Sequence, residues 1–268
     1  MYRIFYILFL ALILTSCSEF QKAVKSDDIK LQYEVGEKMY EKEKYAKAIR
    51  LFEKIVPSYR GKPQAEKLFY MYSMSLYNTK QYYTAGYQFE SFAATYPTSL
   101  KAEEAAFLSA KSYSMLSPRY SLDQEDTYRA LDRLQAFINK YPNSQYMPEA
   151  NEVVQTLNEK LEKKAFEIAK QYHTTAEYFG DYTAPIKAFE NFLIDFPGSK
   201  YREDALYYKF DSAYELAINS VYAKMYDRLL AAKTHYAALI KFNADTKYRQ
   251  EVDQKLADID KALQNFSK

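Results

Sequence analysis

Apolar residues run unbroken from Ile4 to Leu14, behind the single positive charge of Arg3. Eleven residues are too few to span a bilayer comfortably, but they match the apolar part of an export signal in length and flank. Beyond this run the pattern changes to helical spacing. Apolar or aromatic pairs three residues apart recur as Phe52/Ile55, Phe89/Phe92, Leu134/Phe137 and Phe189/Phe192. The last three are each followed by the same punctuation: Thr95-Tyr96-Pro97-Thr98-Ser99, Lys140-Tyr141-Pro142-Asn143-Ser144 and Asp195-Phe196-Pro197-Gly198-Ser199. An acid–Ala pair then follows, as Glu104-Ala105, Glu149-Ala150 and Asp204-Ala205. Proline cannot extend a helix and restrains the residue before it, so each mark predicts a helix end. The serine is placed to cap the next helix. In the earliest copy the prolines are displaced to Pro57 and Pro63.

A repeating unit of helix, turn, helix and proline predicts stacked helical hairpins, because one hairpin cannot bury its own apolar face. The residues resemble the tetratricopeptide pattern. The first unit places Gly36, Met39, Ala48 and Phe52 in that register, and the second Ser73, Leu76, Ala85, Phe89 and Pro97. The third has Ala110, Tyr113, Ala130, Leu134 and Pro142, with its extra length in the loop Ser117–Gln124. The fourth keeps Phe189 and Pro197 but carries Pro185 in the alanine slot, so its second helix should begin near Ala184. A degenerate fifth unit runs through Ala232, Tyr236 and Leu239, and Lys247 to Phe266 reads as a closing helix. The expected fold is all-α, a tetratricopeptide-like helical-hairpin solenoid of about five repeats.

The only cysteine, Cys17, follows the apolar run directly, in Leu14-Thr15-Ser16-Cys17. A branched apolar residue, two small residues and cysteine resemble the lipobox of bacterial lipoproteins. That resemblance implies cleavage after Ser16, then an S-diacylglycerol and an N-palmitoyl chain on Cys17, with no other cofactor. With one cysteine there is no internal disulfide, so packing alone must hold the exported chain. No second apolar stretch approaches spanning length, which predicts a mature part that is soluble apart from its lipid. Lys and Arg number 37 against 35 Asp and Glu, which leaves no basic footprint for nucleic acid. Five glycines beside 29 tyrosines fit helices joined by short turns.

Catalysis is hard to place. His173 and His235 lie in different repeats without a metal-ligand partner, so no metal site is expected, and lipidation would consume the only thiol. No glycine-rich loop is available to cradle phosphate, and the acid pairs Asp27-Asp28 and Glu103-Glu104 read as first-turn charges complementing the helix dipole. An enzyme is not expected, and recognition falls to the face of the first helices of the repeats. That face offers Lys30, Tyr33, Glu37 and Tyr40, then Lys67, Tyr70, Met74 and Tyr77, then Glu104, Phe107, Lys111 and Ser114. Aromatics and a thioether flanked by lysines suit an extended peptide with apolar side chains and a carboxylate. Tyr33, Tyr70 and Phe107 equally suit packing between repeats.

Taken together, the lipobox cysteine, a short linker and about five hairpins resemble the BamD family of lipoproteins of the outer-membrane β-barrel assembly machinery. The likeness rests on Tyr33-x-x-Gly36-x-x-x-Tyr40, Tyr45-x-x-Ala48-Ile49-x-x-Phe52, the loop Ser117-Pro118-Arg119 with Leu122-Asp123-Gln124, the proline marks, and Tyr178-Phe179 with Tyr182. Departures occur at Ser58-Tyr59-Arg60-Gly61 and at Pro185. The resemblance implies a non-catalytic scaffold on the outer membrane, lipid-anchored and facing the periplasm. It divides the chain into a signal (1–16), a lipidated linker (17–28), N-terminal repeats that receive the C-terminal signals of unfolded outer-membrane proteins (29–145), and C-terminal repeats that dock the periplasmic POTRA region of BamA (146–268). Ser18 after the cysteine is not the aspartate that retains lipoproteins in the inner membrane of many bacteria. The same residues also suit another tetratricopeptide lipoprotein adaptor, serving secretion, gliding or cell-wall coordination. A glycan-binding relative would need tryptophan platforms, and the chain has no Trp.

Overall fold

The computed structural model describes residues 19–266; Cys17, with the lipidation expected there, and the apolar run lie outside the described residues. Those residues are helices and turns, with no strand among them. A short helix α1 (residues 19–25) leads into α2 (Ile29–Glu41), α3 (Tyr45–Tyr59), α4 (Ala65–Asn78), α5 (Tyr82–Thr95), α6 (Ala102–Ser114) and α7 (Glu125–Lys140). Then come α8 (Met147–Phe179), α9 (Thr183–Asp195), α10 (Arg202–Ile218), α11 (Tyr222–Phe242) and α12 (Arg249–Gln264). The chain divides into two compact units, Met1–Leu157 and Asn158–Lys268, and α8 begins in the first and ends in the second.

In the first unit α2/α3, α4/α5 and α6/α7 are hairpins, each packed on the next, and α2 also touches α4. In the second unit α10 packs on α9 and α11, and α12 on α11 with a further contact to α10. Contact between alternate helices is what a tetratricopeptide-like stack requires, so the all-α hairpin architecture expected from the repeats is the one observed. The small residues occupy the helix crossings: Ala48, Ala85, Ala130, Ala205 and Ala232 are fully buried. Phe52, Phe89, Leu134, Phe189 and Leu239 fill the adjoining space, also fully buried, each side chain contributing about 1.5–3 kcal/mol. Gly36 lets the Phe52 ring lie directly against the α2 backbone. Pro185 is buried in the first turn of α9, where its missing N–H costs no intrahelical bond.

The turns repeat as closely as the helices. Between α2 and α3, Glu43 has φ 55°, and between α4 and α5, Lys80 has φ 61°. Each is followed by the same long bond, from Lys44 N–H to Met39 O and from Gln81 N–H to Leu76 O, which closes the helix end in the manner usually given to glycine. The serines of the proline marks act differently from the expected caps. Ser99, Ser144 and Ser199 Oγ accept the N–H of Lys101, Tyr146 and Tyr201, two residues on. In the first and third marks this closes the turn ahead of the helix, whose cap residues Lys101 and Tyr201 have no side-chain cap bond.

Each of these hydroxyls also donates back to a glutamate of the preceding repeat: Ser99 to Glu66 at 2.6 Å, Ser144 to Glu103 at 2.5 Å and Ser199 to Glu162 at 2.6 Å. A fourth clamp, Thr246 to Glu203 at 2.5 Å, sits in the turn before α12, where no proline marks it. In the loop extension after α6, Gln124 is buried. Its amide donates to the carbonyls of Arg119 and Leu122, and its carbonyl accepts from Thr127. Gln124 therefore shapes the loop from within.

Candidate functional site

The first helices of the repeats in the first unit, α2, α4, α6 and the start of α8, are joined side chain to side chain along one strip. Glu37 on α2 pairs with Lys67 on α4. Tyr70 on α4 faces Glu104 on α6, which also holds Lys101 at 2.7 Å. Lys111 on α6 pairs with Glu149 on α8 at 2.5 Å and bonds the Tyr77 hydroxyl on α4. Met74 lies half-buried beside these groups, against the core.

The aromatics divide into two roles. Tyr33 is buried and stacks on Tyr59 with ring centres 5.3 Å apart. Phe107 is only 2% exposed, stacked on Tyr146 at 4.9 Å, so its ring is consumed by packing. Tyr40, Tyr70 and Tyr77 are half-buried, with one edge against the core and one toward the strip. Tyr40 meets Tyr45 edge-on at 5.8 Å, and Tyr77 meets Tyr82 in the same way at 5.7 Å, one repeat later. Tyr70 sets its edge on Phe92 at 5.6 Å and lies under the Lys101 ammonium, 5.2 Å from the ring centre.

The electrostatics follow from these contacts. Burial pushes the Tyr70 hydroxyl far above the usual range, and the Glu104 carboxylate it faces and bonds adds to the rise. Tyr40 and Tyr146 rise as well, chiefly through burial, with Glu104 contributing to both. The phenols therefore stay neutral hydrogen-bond donors. Burial alone would lower Lys111, but its bonds to Glu149 and Tyr77 hold it above the ordinary lysine value. Lys67, largely exposed, is raised by its bond to Glu37. Lys67 and Lys111 thus stay charged, and each holds a carboxylate.

Sequence reasoning missed half of this circuit. Both Glu104 and Glu149 belong to the recurring acid–Ala pairs; from the sequence, Glu104 is expected on the recognition face and also among the first-turn dipole charges, and Glu149 has no further role. Glu103 and Glu104 do stand in the first turn of α6. Their side chains nonetheless reach neighbouring elements, Glu103 the Ser144 turn and Glu104 the Tyr70 side chain of α4, and the signal is the recurrence of an acid at the same distance after each mark. Asp28 caps α2, accepting from the N–H groups of Lys30 and Leu31. Of the histidines, His173 is buried and bonded to Ser212, and His235 is half-buried on α11. Among the described residues no group of three His, Cys, Asp or Glu side chains is placed to hold a metal ion, and no helix is long and apolar enough to cross a membrane.

The sequence is similar to a protein of Aquifex aeolicus provisionally named outer membrane protein assembly factor BamD, at 32% identity over 201 residues, 74% of this chain and 64% of that protein. It is 27% identical over 198 residues to the outer membrane protein assembly factor BamD of Rickettsia prowazekii, covering 74% of this chain and 77% of the relative. A Caulobacter vibrioides protein of the same name is 24% identical over 144 residues, 54% of this chain and 47% of that one. The chain thus spans a little under two thirds of the Aquifex relative's length. These are names of assembly factors, not of enzymes. The sequence model of the YfiO family, described as outer membrane lipoprotein, matches residues 25–229, from the end of α1 into α11. With well over half its length matched and its helices stacked in successive hairpins, the chain belongs to the YfiO family of outer membrane lipoproteins.

Proposed function

We propose that this protein is a non-catalytic scaffold for inserting β-barrel proteins into the outer membrane. In this reading Cys17 carries the diacylglycerol and palmitoyl chains that anchor it, facing the periplasm. Two or more chains give lasting attachment, at about 0.8 kcal/mol per buried methylene. The strip across α2, α4, α6 and α8 receives the C-terminal segment of an unfolded outer-membrane protein, which ends in an aromatic residue and a free carboxylate. The C-terminal repeats dock the POTRA region of the barrel-forming subunit BamA.

The observation that carries this reading is the strip itself: half-buried tyrosines and Met74 lie beside lysines paired with carboxylates. The aromatic side chain would lie against Tyr70, Met74 and Tyr77, and the carboxylate would displace Glu149 from Lys111. The test is fluorescence anisotropy with a labelled peptide ending in phenylalanine, as the free acid and as the amide. The free acid binds the protein more tightly, and Lys111→Gln lowers its affinity by at least about tenfold, as expected for losing one charge-assisted hydrogen bond. Equal binding of acid and amide, unaffected by Lys111→Gln, would overturn the assignment of the strip.

A further inference from the structure

A second site lies entirely within the unit Asn158–Lys268, where α8, α10 and α12 enclose an open cavity of about 550 Å³. Its floor is a network of buried charge. His173, 6% exposed, places Nε2 3.3 Å from Asp211 Oδ2 and Nδ1 3.0 Å from Ser212 Oγ. Asp211, 7% exposed, is also paired with Lys255, which bonds Glu251 at 2.8 Å. Lys255 is thereby fully engaged. The other lysine of the lining, Lys170, rests over the Tyr208 ring, 5.6 Å from its centre.

Two carboxylates remain. Among the described residues neither Glu177 nor Glu215 has a lysine or arginine within ion-pair distance. Glu177 reaches only the His173 ring, at 3.8 Å, and Glu215 only the Asn219 amide, at 3.4 Å. Both converge with Asp211 on the buried Tyr182: burial pushes its hydroxyl up, and Glu215, Glu177 and Asp211 push it further, against a smaller opposing effect of Lys255. Burial, then Asp211, holds the Glu215 carboxyl above its usual range, although Lys255 and the Asn219 amide pull it down. In all, the lining sets Glu177, Asp211, Glu215 and Glu251 against Lys170 and Lys255. The walls include the aromatic rings of Tyr182, Tyr207 and Tyr208.

We propose that this cavity is a receptor for a cationic side chain, an arginine or lysine projecting from a partner polypeptide, held by Glu177 and Glu215 beside the Tyr182 ring. A desolvated cation gains from facing carboxylates and from an aromatic face, and the volume admits a long side chain. An entering carboxylate or phosphate would meet an excess of negative charge. The site uses residues of the second unit alone and does not rest on the peptide strip of the first, so either reading can fail without the other.

The test exploits the fact that the chain has two histidines. The full chain, purified in detergent with carbon-13 in its imidazole rings, is titrated with N-acetyl-arginine amide while both ring signals are followed by NMR. The His173 signal shifts saturably and the His235 signal stays still. The uncharged isostere N-acetyl-citrulline amide binds at least about tenfold more weakly. The Glu177→Gln/Glu215→Gln variant keeps its melting temperature and loses the saturable shift, and Glu215→Gln alone gives an intermediate affinity. The proposal is overturned by any of three results: arginine amide and citrulline amide acting alike, neither moving His173, or N-acetyl-glutamate amide being the probe that binds.

Discussion

His235 on α11 is a single residue with a measurable consequence. Burial pushes its imidazole down to about 4, with Lys209 adding to the effect and Glu190 opposing it. The folded state accepts the neutral ring, whereas the unfolded chain takes up a proton near the ordinary histidine value of 6.5. Stability from this residue is therefore full above about pH 6.5, is lost as the pH falls, and stops changing below about 4. With its partial exposure allowed for, the loss is on the order of 1–2 kcal/mol. Urea unfolding across that range should show the decline in the native chain and a flatter profile in His235→Gln. Gly36 offers a test of packing. A Cβ there would stand 2.6 Å from Phe52 Cε1 and 2.9 Å from Cδ1, on a ring that is fully buried. Overpacking of about 1–3 kcal/mol outweighs a gain of about 1 kcal/mol in helix propensity, so Gly36→Ala should lower the melting temperature. The same change at Gly86, 3.0 Å from the Tyr113 ring, should cost less.

At the scale of elements, the hairpins could be read from the chain because two physical signals agreed. Alanine, serine or glycine at the crossings and a large apolar residue three or four positions on mark helix pairs, and proline marks their ends. The structure places those residues at the crossings and in the core. The clamp between repeats was harder to see. Its partners lie between 33 and 43 residues apart, and the fourth uses threonine with no proline beside it. Thr246 holds the Glu203 carboxyl below its usual range, so that bond strengthens the ionised form. Thr246→Ala should cost about 1 kcal/mol, and a double-mutant cycle with Glu203→Gln should return a coupling of about 0.5–1.5 kcal/mol. Coupling near zero would mean that the clamp only orients the turn. The strip was half visible for a related reason. The spacing of Tyr33, Tyr40, Tyr70 and Tyr77 puts them on one helix face, but only the fold decides that Tyr33 and Phe107 are consumed by packing while Tyr70 reaches Glu104.

For the whole molecule, belonging to the YfiO family joins the two ends of the account. The lipobox residues imply a tether and the repeats give a surface, and neither alone indicates what is held at the membrane. The relatives are named as assembly factors, and the proposed scaffold accounts for both the tether and the peptide strip. The most direct measurement is affinity purification of the full-length protein from gently solubilised membranes, with bound partners identified by mass spectrometry. The account predicts that the barrel-forming subunit copurifies in near-equal amount and that Cys17→Ser releases the protein from the membrane fraction. Recovery of secretion, gliding or cell-wall proteins without the barrel-forming subunit would contradict it.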